Sequence, residues 1–102
     1  MKKKTIDKRK MYRECWALDN SFYRWLLPRI IEYKKDASKI VNLEYHKFEY
    51  KGQEYTQLEM IDMLIDDLKY VTDDNYFCWT DSFNRAQRVL DVWALIGLSM
   101  WW

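Results

Sequence analysis

The chain has 102 residues, with 17 Lys and Arg against 16 Asp and Glu, for a net charge of +1. That length predicts a single domain, and that balance excludes a uniformly basic nucleic-acid binder and a highly charged disordered chain. Two glycines and one proline argue against a loop-rich fold, while six Trp and eight Tyr supply more ring surface than so small a core absorbs.

The charge is laid unevenly. Residues 1–13 hold seven bases (Lys2, Lys3, Lys4, Lys8, Arg9, Lys10 and Arg13) and one acid, Asp7, so they form a +6 arm on a −5 body, residues 14–102. Two readings of the arm stand side by side. One is a solvated tail, or a tail lying on the protein's own acidic face. The other is a contact with nucleic acid or another anionic partner, which neutralisation of phosphates by Lys and Arg would drive. From Thr5 to Trp16 the residues Ile6, Met11, Cys15 and Trp16 suggest a helical stripe among the bases. Met1–Lys10 lacks the apolar stretch of a signal peptide, and no apolar run approaches the roughly 18 residues of a membrane span. Cys15 and Cys78 read as reduced thiols in a cytosolic setting, with one disulfide between them as the alternative.

Asp19-Asn20-Ser21 offers N-cap residues for a helix in which Phe22, Trp25, Leu26, Ile30 and Tyr33 keep the spacing of one face. Pro28 interrupts the backbone ladder there. Because the stripe continues in phase, the sequence predicts one helix kinked at Pro28, ending near Lys34 and Lys35. Leu43, Tyr45, Phe48, Tyr50 and Tyr55 are strand-type residues, and Lys51-Gly52 resembles the tip of a tight turn. They predict a short β-hairpin within residues 47–55. Thr56-Gln57-Leu58-Glu59 is a capping box, with Tyr55 and Met60 placed as a hydrophobic staple, so a helix is expected from Gln57 to Val71. Its apolar stripe is Ile61, Leu64, Ile65 and Leu68, with Asp62, Asp66 and Asp67 outside it. Thr72-Asp73-Asp74-Asn75 ends it. Thr80-Asp81-Ser82 would cap a last helix. There Phe83, Ala86, Leu90, Trp93 and Gly97 form one apolar strip and Val89, Val92 and Ile96 a second, which predicts a central helix with two neighbours. The pair Trp101-Trp102 suggests a docked chain end.

Few residues carry recognisable chemistry. His46 is the only histidine and sits in no nucleophile–base signature. Asp62, Asp66 and Glu59 share a helix face, and Asp73-Asp74-Asn75 is a second oxygen cluster, but neither has the pattern of a calcium loop, and no metal or cofactor is expected. With only Gly52 and Gly97, a phosphate loop is excluded. The arginines are more informative. Arg29 lies beside Trp25, and Arg85 and Arg88 lie among Phe83, Gln87 and Trp93. Arginine among aromatic rings is the composition of interface hot spots and of nucleobase pockets. Surface ion pairing is the competing account, Asp81 with Arg85 and Arg88 with Asp91. If Arg29 is partly buried, Asp62 or Asp66 would be its counter-ion.

The segment Trp25-Leu26-Leu27-Pro28-Arg29, the capped acidic helix Thr56–Leu68 and the Trp-containing end together resemble small proteins encoded by tailed bacteriophages. Those carry a W-L-x-P-R segment, an E-E-W-x-x-I-L type helix and a tryptophan near the chain end. Here Glu59-Met60-Ile61 stands where Glu-Trp and an aliphatic residue are the pattern. The resemblance implies a viral accessory protein acting in the cytoplasm of an infected bacterium, binding a host factor, including a defence factor, or sequestering a signalling nucleotide.

These readings combine into a mostly α fold of three to four helices with a small hairpin. The expected function is binding without catalysis, through Tyr23, Trp25, Arg29, Arg85 and Arg88. The expected partner is a host protein; a nucleotide, or nucleic acid through the arm, are the alternatives. Self-association to cover the surplus rings is expected, and a membrane is not.

Overall fold

In the computed structural model the described residues are 18–73 and 82–97. They form three helices and a two-stranded antiparallel hairpin: α1 (Leu18–Ala37), β1 (Lys47–Tyr50), β2 (Gln53–Thr56), α2 (Gln57–Val71) and α3 (Ser82–Ile96). The segment Thr5–Trp16, expected to be helical, lies outside the described residues.

Helix α1 is already formed at Leu18, the first described residue, so Asp19–Ser21 lie within it, and it runs unbroken through Pro28. Asn20 therefore sits inside the helix, where its Oδ1 accepts from Arg24 Nε at 2.7 Å instead of capping it. Tyr23, Leu26, Ile30 and Ala37 are its buried face.

The hairpin turns at Lys51-Gly52, both with positive φ (51° and 80°), as a two-residue turn matched to the strand twist requires. The register pairs Phe48 with Tyr55 and Tyr50 with Gln53. Phe48, Tyr50 and Tyr55 are half-buried against the core, which is what stabilises so short a ribbon.

Thr56 ends β2 and caps α2. Its hydroxyl accepts from Glu59 N at 3.1 Å, and its own N–H donates to Glu59 Oε1 at 2.9 Å. The next two free donors, Gln57 N and Leu58 N, bond the carbonyls of His46 and Leu43, both at 2.9 Å. All four amides that a helix start leaves open are thereby satisfied from within the chain, so this end offers nothing to an anion.

Helix α2 is the centre of the fold. Met60, Ile61, Leu64, Leu68 and Val71 are buried, and α1, α3 and β2 all pack on it. The sequence pattern had put α3 in that position. In the structure only one of its two apolar strips, Val89, Val92 and Ile96, faces inward. The other, Phe83 to Gly97, is left at the surface or half-covered.

Candidate functional site

Two places bring arginines against aromatic rings. The first is the seam between α2 and α3. Asp67 is fully buried (0% exposed), and both arginines of α3 converge on it. Arg85 Nη1 donates to Asp67 Oδ1 at 2.7 Å and to Asp66 Oδ2 at 2.8 Å. Arg88 donates through Nε to Asp67 Oδ2 and through Nη2 to Asp67 Oδ1 at 2.8 Å. The Arg85 guanidinium also covers the Tyr70 ring at 4.7 Å. Hydrogen bonds to Asp66 and Asp67 raise Arg85 above its ordinary range, and the bonds to Asp67 do the same for Arg88. Both stay charged throughout. Beside them Tyr50 donates to Asp91 Oδ2, and Gln87 Nε2 donates to Asp91 Oδ1, each at 3.0 Å. Burial, then the bond to Asp91, raises the Tyr50 phenol.

This seam corrects three expectations. Arg88 pairs with Asp67 and not with Asp91, whose oxygens go to Tyr50 and Gln87. Arg85 and Arg88 are spent on a buried carboxylate, which removes most of their capacity for an outside anion. Asp67 was read as lying outside the apolar stripe of its helix. Yet it falls three residues after Leu64 and four before Val71, squarely on the buried face, and that placement was the signal.

The second place is a groove between α1 and α3, about 170 Å³, lined by Trp25, Leu26, Arg29, Ile30, Tyr33, Trp93 and Gly97. Helical spacing explains it: Trp25, Arg29 and Tyr33 lie one turn apart along α1, above the buried Leu26 and Ile30. Trp25 is 52% exposed, an unusual state for an indole on a small domain. Arg29 stacks over it at 4.4 Å and donates from Nη1 to the Trp25 carbonyl at 2.7 Å. Trp93 closes the opposite wall, edge-on to Phe22 at 6.4 Å. Burial raises the Tyr33 phenol at the α2 end. Gln57 Nε2 is the one buried side-chain donor without an acceptor among the described residues.

Of the five residues expected to bind, Trp25 and Arg29 therefore share one groove. Tyr23 does not join them: at 3% exposed it belongs to the core, because position 23 is a turn before the buried Leu26 and Ile30. The anticipated Arg29 pairing with Asp62 or Asp66 is not formed. Asp62 meets Lys34 at 2.6 Å and Asp66 meets Arg85, while Arg29 faces the other side of α1. No group of His, Cys, Asp and Glu among the described residues could hold a metal ion, and no described helix is long and apolar enough to cross a membrane. The basic arm (Lys2, Lys3, Lys4, Lys8, Arg9, Lys10), both cysteines, Asp81 and the terminal Trp pair lie outside the described residues. Searches against protein-family models, curated proteins and solved structures find no match to this chain.

Proposed function

We propose that this chain is a non-catalytic binding protein whose α1–α3 groove accepts an apolar or aromatic side chain of a protein partner. The observation that carries this reading is the Trp25–Arg29 stack, held half in solvent at the rim of an apolar trough. An exposed indole beside an arginine is the typical anchor of an interface hot spot. The size of this groove favours a protein side chain over a nucleotide there. Small-molecule pockets run from roughly 300 to 1,000 Å³. This groove, about 170 Å³, fits one side chain and leaves no room for a base, a sugar and a phosphate. The arginines that would have held the phosphate are bound to Asp67. Together with the resemblance to small phage-encoded proteins, the groove supports an accessory protein that binds and modulates a host factor, a defence component included, in the bacterial cytoplasm.

The test is a paired capture from bacterial lysate with the immobilised wild type, Trp25→Ala, Arg29→Ala and, as a control on the far face, Lys69→Ala. A specific host protein should be retained by wild type and Lys69→Ala, and depleted at least about tenfold by either groove variant. Identical captures from all four would remove the groove from the mechanism. A parallel thermal-shift series with cyclic and linear nucleotides should show no stabilisation. A shift abolished by Trp25→Ala would replace the protein reading with a nucleotide one.

A further inference from the structure

The ion pairs fix the direction in which the chain leaves α3. Lys34, in the last turn of α1, meets Asp62 near the start of α2. Arg85, in the first turn of α3, meets Asp66 and Asp67 in the second half of α2. Both helices therefore run opposite to α2 and in the same sense as each other. Phe22 meets Trp93 edge-on, and Gly97, one turn after Trp93, lines the groove with the α1 residues from Trp25 to Tyr33. The step from Trp93 to Gly97 thus follows the groove in the same sense as the step from Phe22 toward Tyr33. Gly97 is the last described residue, so the chain enters residues 98–102 from the groove wall itself.

That segment has the reach and the chemistry to fill the groove. From Trp25 to Tyr33 the groove spans roughly 12 Å of α1. Trp101 lies roughly 6 Å beyond Gly97 at helical rise and roughly 13 Å beyond it in extended backbone, so either conformation brings it within reach. Residues 98–102 carry no charge, are apolar apart from Ser99, and hold Trp101 and Trp102 out of the chain's six tryptophans. The groove offers apolar walls, Leu26, Ile30 and Trp93, and one cation, Arg29, whose guanidinium lies 4.4 Å from the Trp25 ring. A second indole suits the other face of that guanidinium. The basic arm suits it poorly, since its Lys and Arg would meet Arg29. About 170 Å³ holds one indole, not two. Trp101 continues the four-residue step from Trp93 and Gly97, whereas helical register turns Trp102 about 100° away.

We infer that residues 98–102 of the chain itself occupy the α1–α3 groove, with the Trp101 ring seated between Arg29 and Trp93. So short a tether holds the ring at a millimolar effective concentration, and a free ligand competes with it at a disadvantage. The consequence for binding rests on the groove being a partner site: Trp101 is then the side chain that the partner must displace. The partner's apparent affinity falls by the fraction of chains whose groove is open, so removing Trp101 strengthens binding.

The experiment is a nuclear Overhauser spectrum of the full chain with labelled Leu and Ile methyls. Cross-peaks from the Trp101 ring to the methyls of Leu26 and Ile30 should appear in the wild type and in Trp102→Ala. Trp101→Ala, in which they vanish, fixes their assignment, and its Tm should fall by on the order of 5 °C. Capture of a host protein by Trp101→Ala should exceed that of the wild type several-fold, and the gain should disappear in the Trp25→Ala, Trp101→Ala double variant. A wild type whose Trp101 ring shows no cross-peak to the groove overturns the inference, and the groove is then an open site judged by its own capture test. Cross-peaks together with a capture unchanged in Trp101→Ala overturn the competition. Cross-peaks together with identical captures by wild type, Trp25→Ala and Arg29→Ala sink the partner reading instead and leave Trp101 as a part of the fold.

Discussion

Along the α2–α3 seam two arginines are locked onto a carboxylate that sees no water. Along the α1–α3 groove one arginine lies on an indole and forms no ion pair among the described residues. Both places present arginine against an aromatic ring, Arg85 over Tyr70 in one and Arg29 over Trp25 in the other. They differ in whether a buried acid completes the cluster. Where it does, the guanidinium groups are structural. Removing a partner would strand charge, and the cluster has little left to offer a ligand. Where it does not, the guanidinium keeps donors free at the surface and the ring stays half in solvent. Arginine–aromatic composition alone does not distinguish the two; the position of one aspartate does.

The largest consequence falls on Asp67. In Asp67→Asn the carboxylate that accepts from both arginines becomes an amide that cannot balance them. Because each guanidinium keeps an edge in solvent, part of the loss is recovered by hydration. The expected cost is about 3 kcal/mol, or a fall in Tm of about 15 °C for a domain of this size. Urea denaturation of the purified protein measures it. A loss below about 1 kcal/mol would mean that the seam is an ordinary surface ion pair and that the contrast with the groove is false.

Tyr50 gives a smaller and pH-dependent handle on the same seam. Its phenol bonds Asp91, and burial together with that carboxylate raises it above the ordinary value near about 10. The folded protein therefore holds the phenol proton more tightly than the unfolded chain does. That contribution is fully present below about pH 10 and is lost as the pH rises through the folded-state value. Tyr33, also raised by burial, acts in the same direction. Tyr50→Phe should cost about 1 kcal/mol at neutral pH, since Asp91 keeps Gln87, and should flatten the alkaline decline. Denaturation midpoints taken from about pH 8 to about pH 11 test both. An unchanged alkaline slope would show that this phenol is not held by Asp91.

The fold was readable wherever local chemistry dictates it. The capping box at Thr56 and Glu59, the turn at Lys51-Gly52, the apolar repeat of α2 and the Val89, Val92, Ile96 strip of α3 are realised, because each depends on neighbours within a few residues. The cap of α1 was misplaced: Asp19–Ser21 lie within the helix, and Asn20 finds a partner one turn on, in Arg24, instead of a free amide. Sites were harder. Whether Arg88 serves Asp91, three residues away, or Asp67, on another helix, depends on how the helices pack, and periodicity along one helix carries no such information. Tyr23 and Trp25 are two residues apart and equally aromatic, yet a rotation of about 200° around the helix sends one into the core and the other to the rim. Which of α2 and α3 would be central was likewise a question of packing, decided by where the hairpin and α1 settle.

The mildest substitution is the sharpest test of the comparison. Arg29→Ala removes a stack and one bond to a carbonyl that its own helix already employs. No carboxylate is abandoned, so stability should change by no more than about 0.5 kcal/mol, at the lower end for an exposed cation–π pair. Arg88→Ala, by contrast, takes two donors from the fully buried Asp67 and leaves Arg85 as its counter-ion. The two variants delete the same side chain from the same kind of neighbourhood, and their denaturation midpoints should differ by about 2 kcal/mol or more. Partner binding should rank them in the reverse order, with Arg29→Ala losing capture and Arg88→Ala retaining it at a temperature where it remains folded. If both rank the same way in stability and in capture, the distinction between a structural and a recognition arginine does not hold in this protein, and the groove has no separate role.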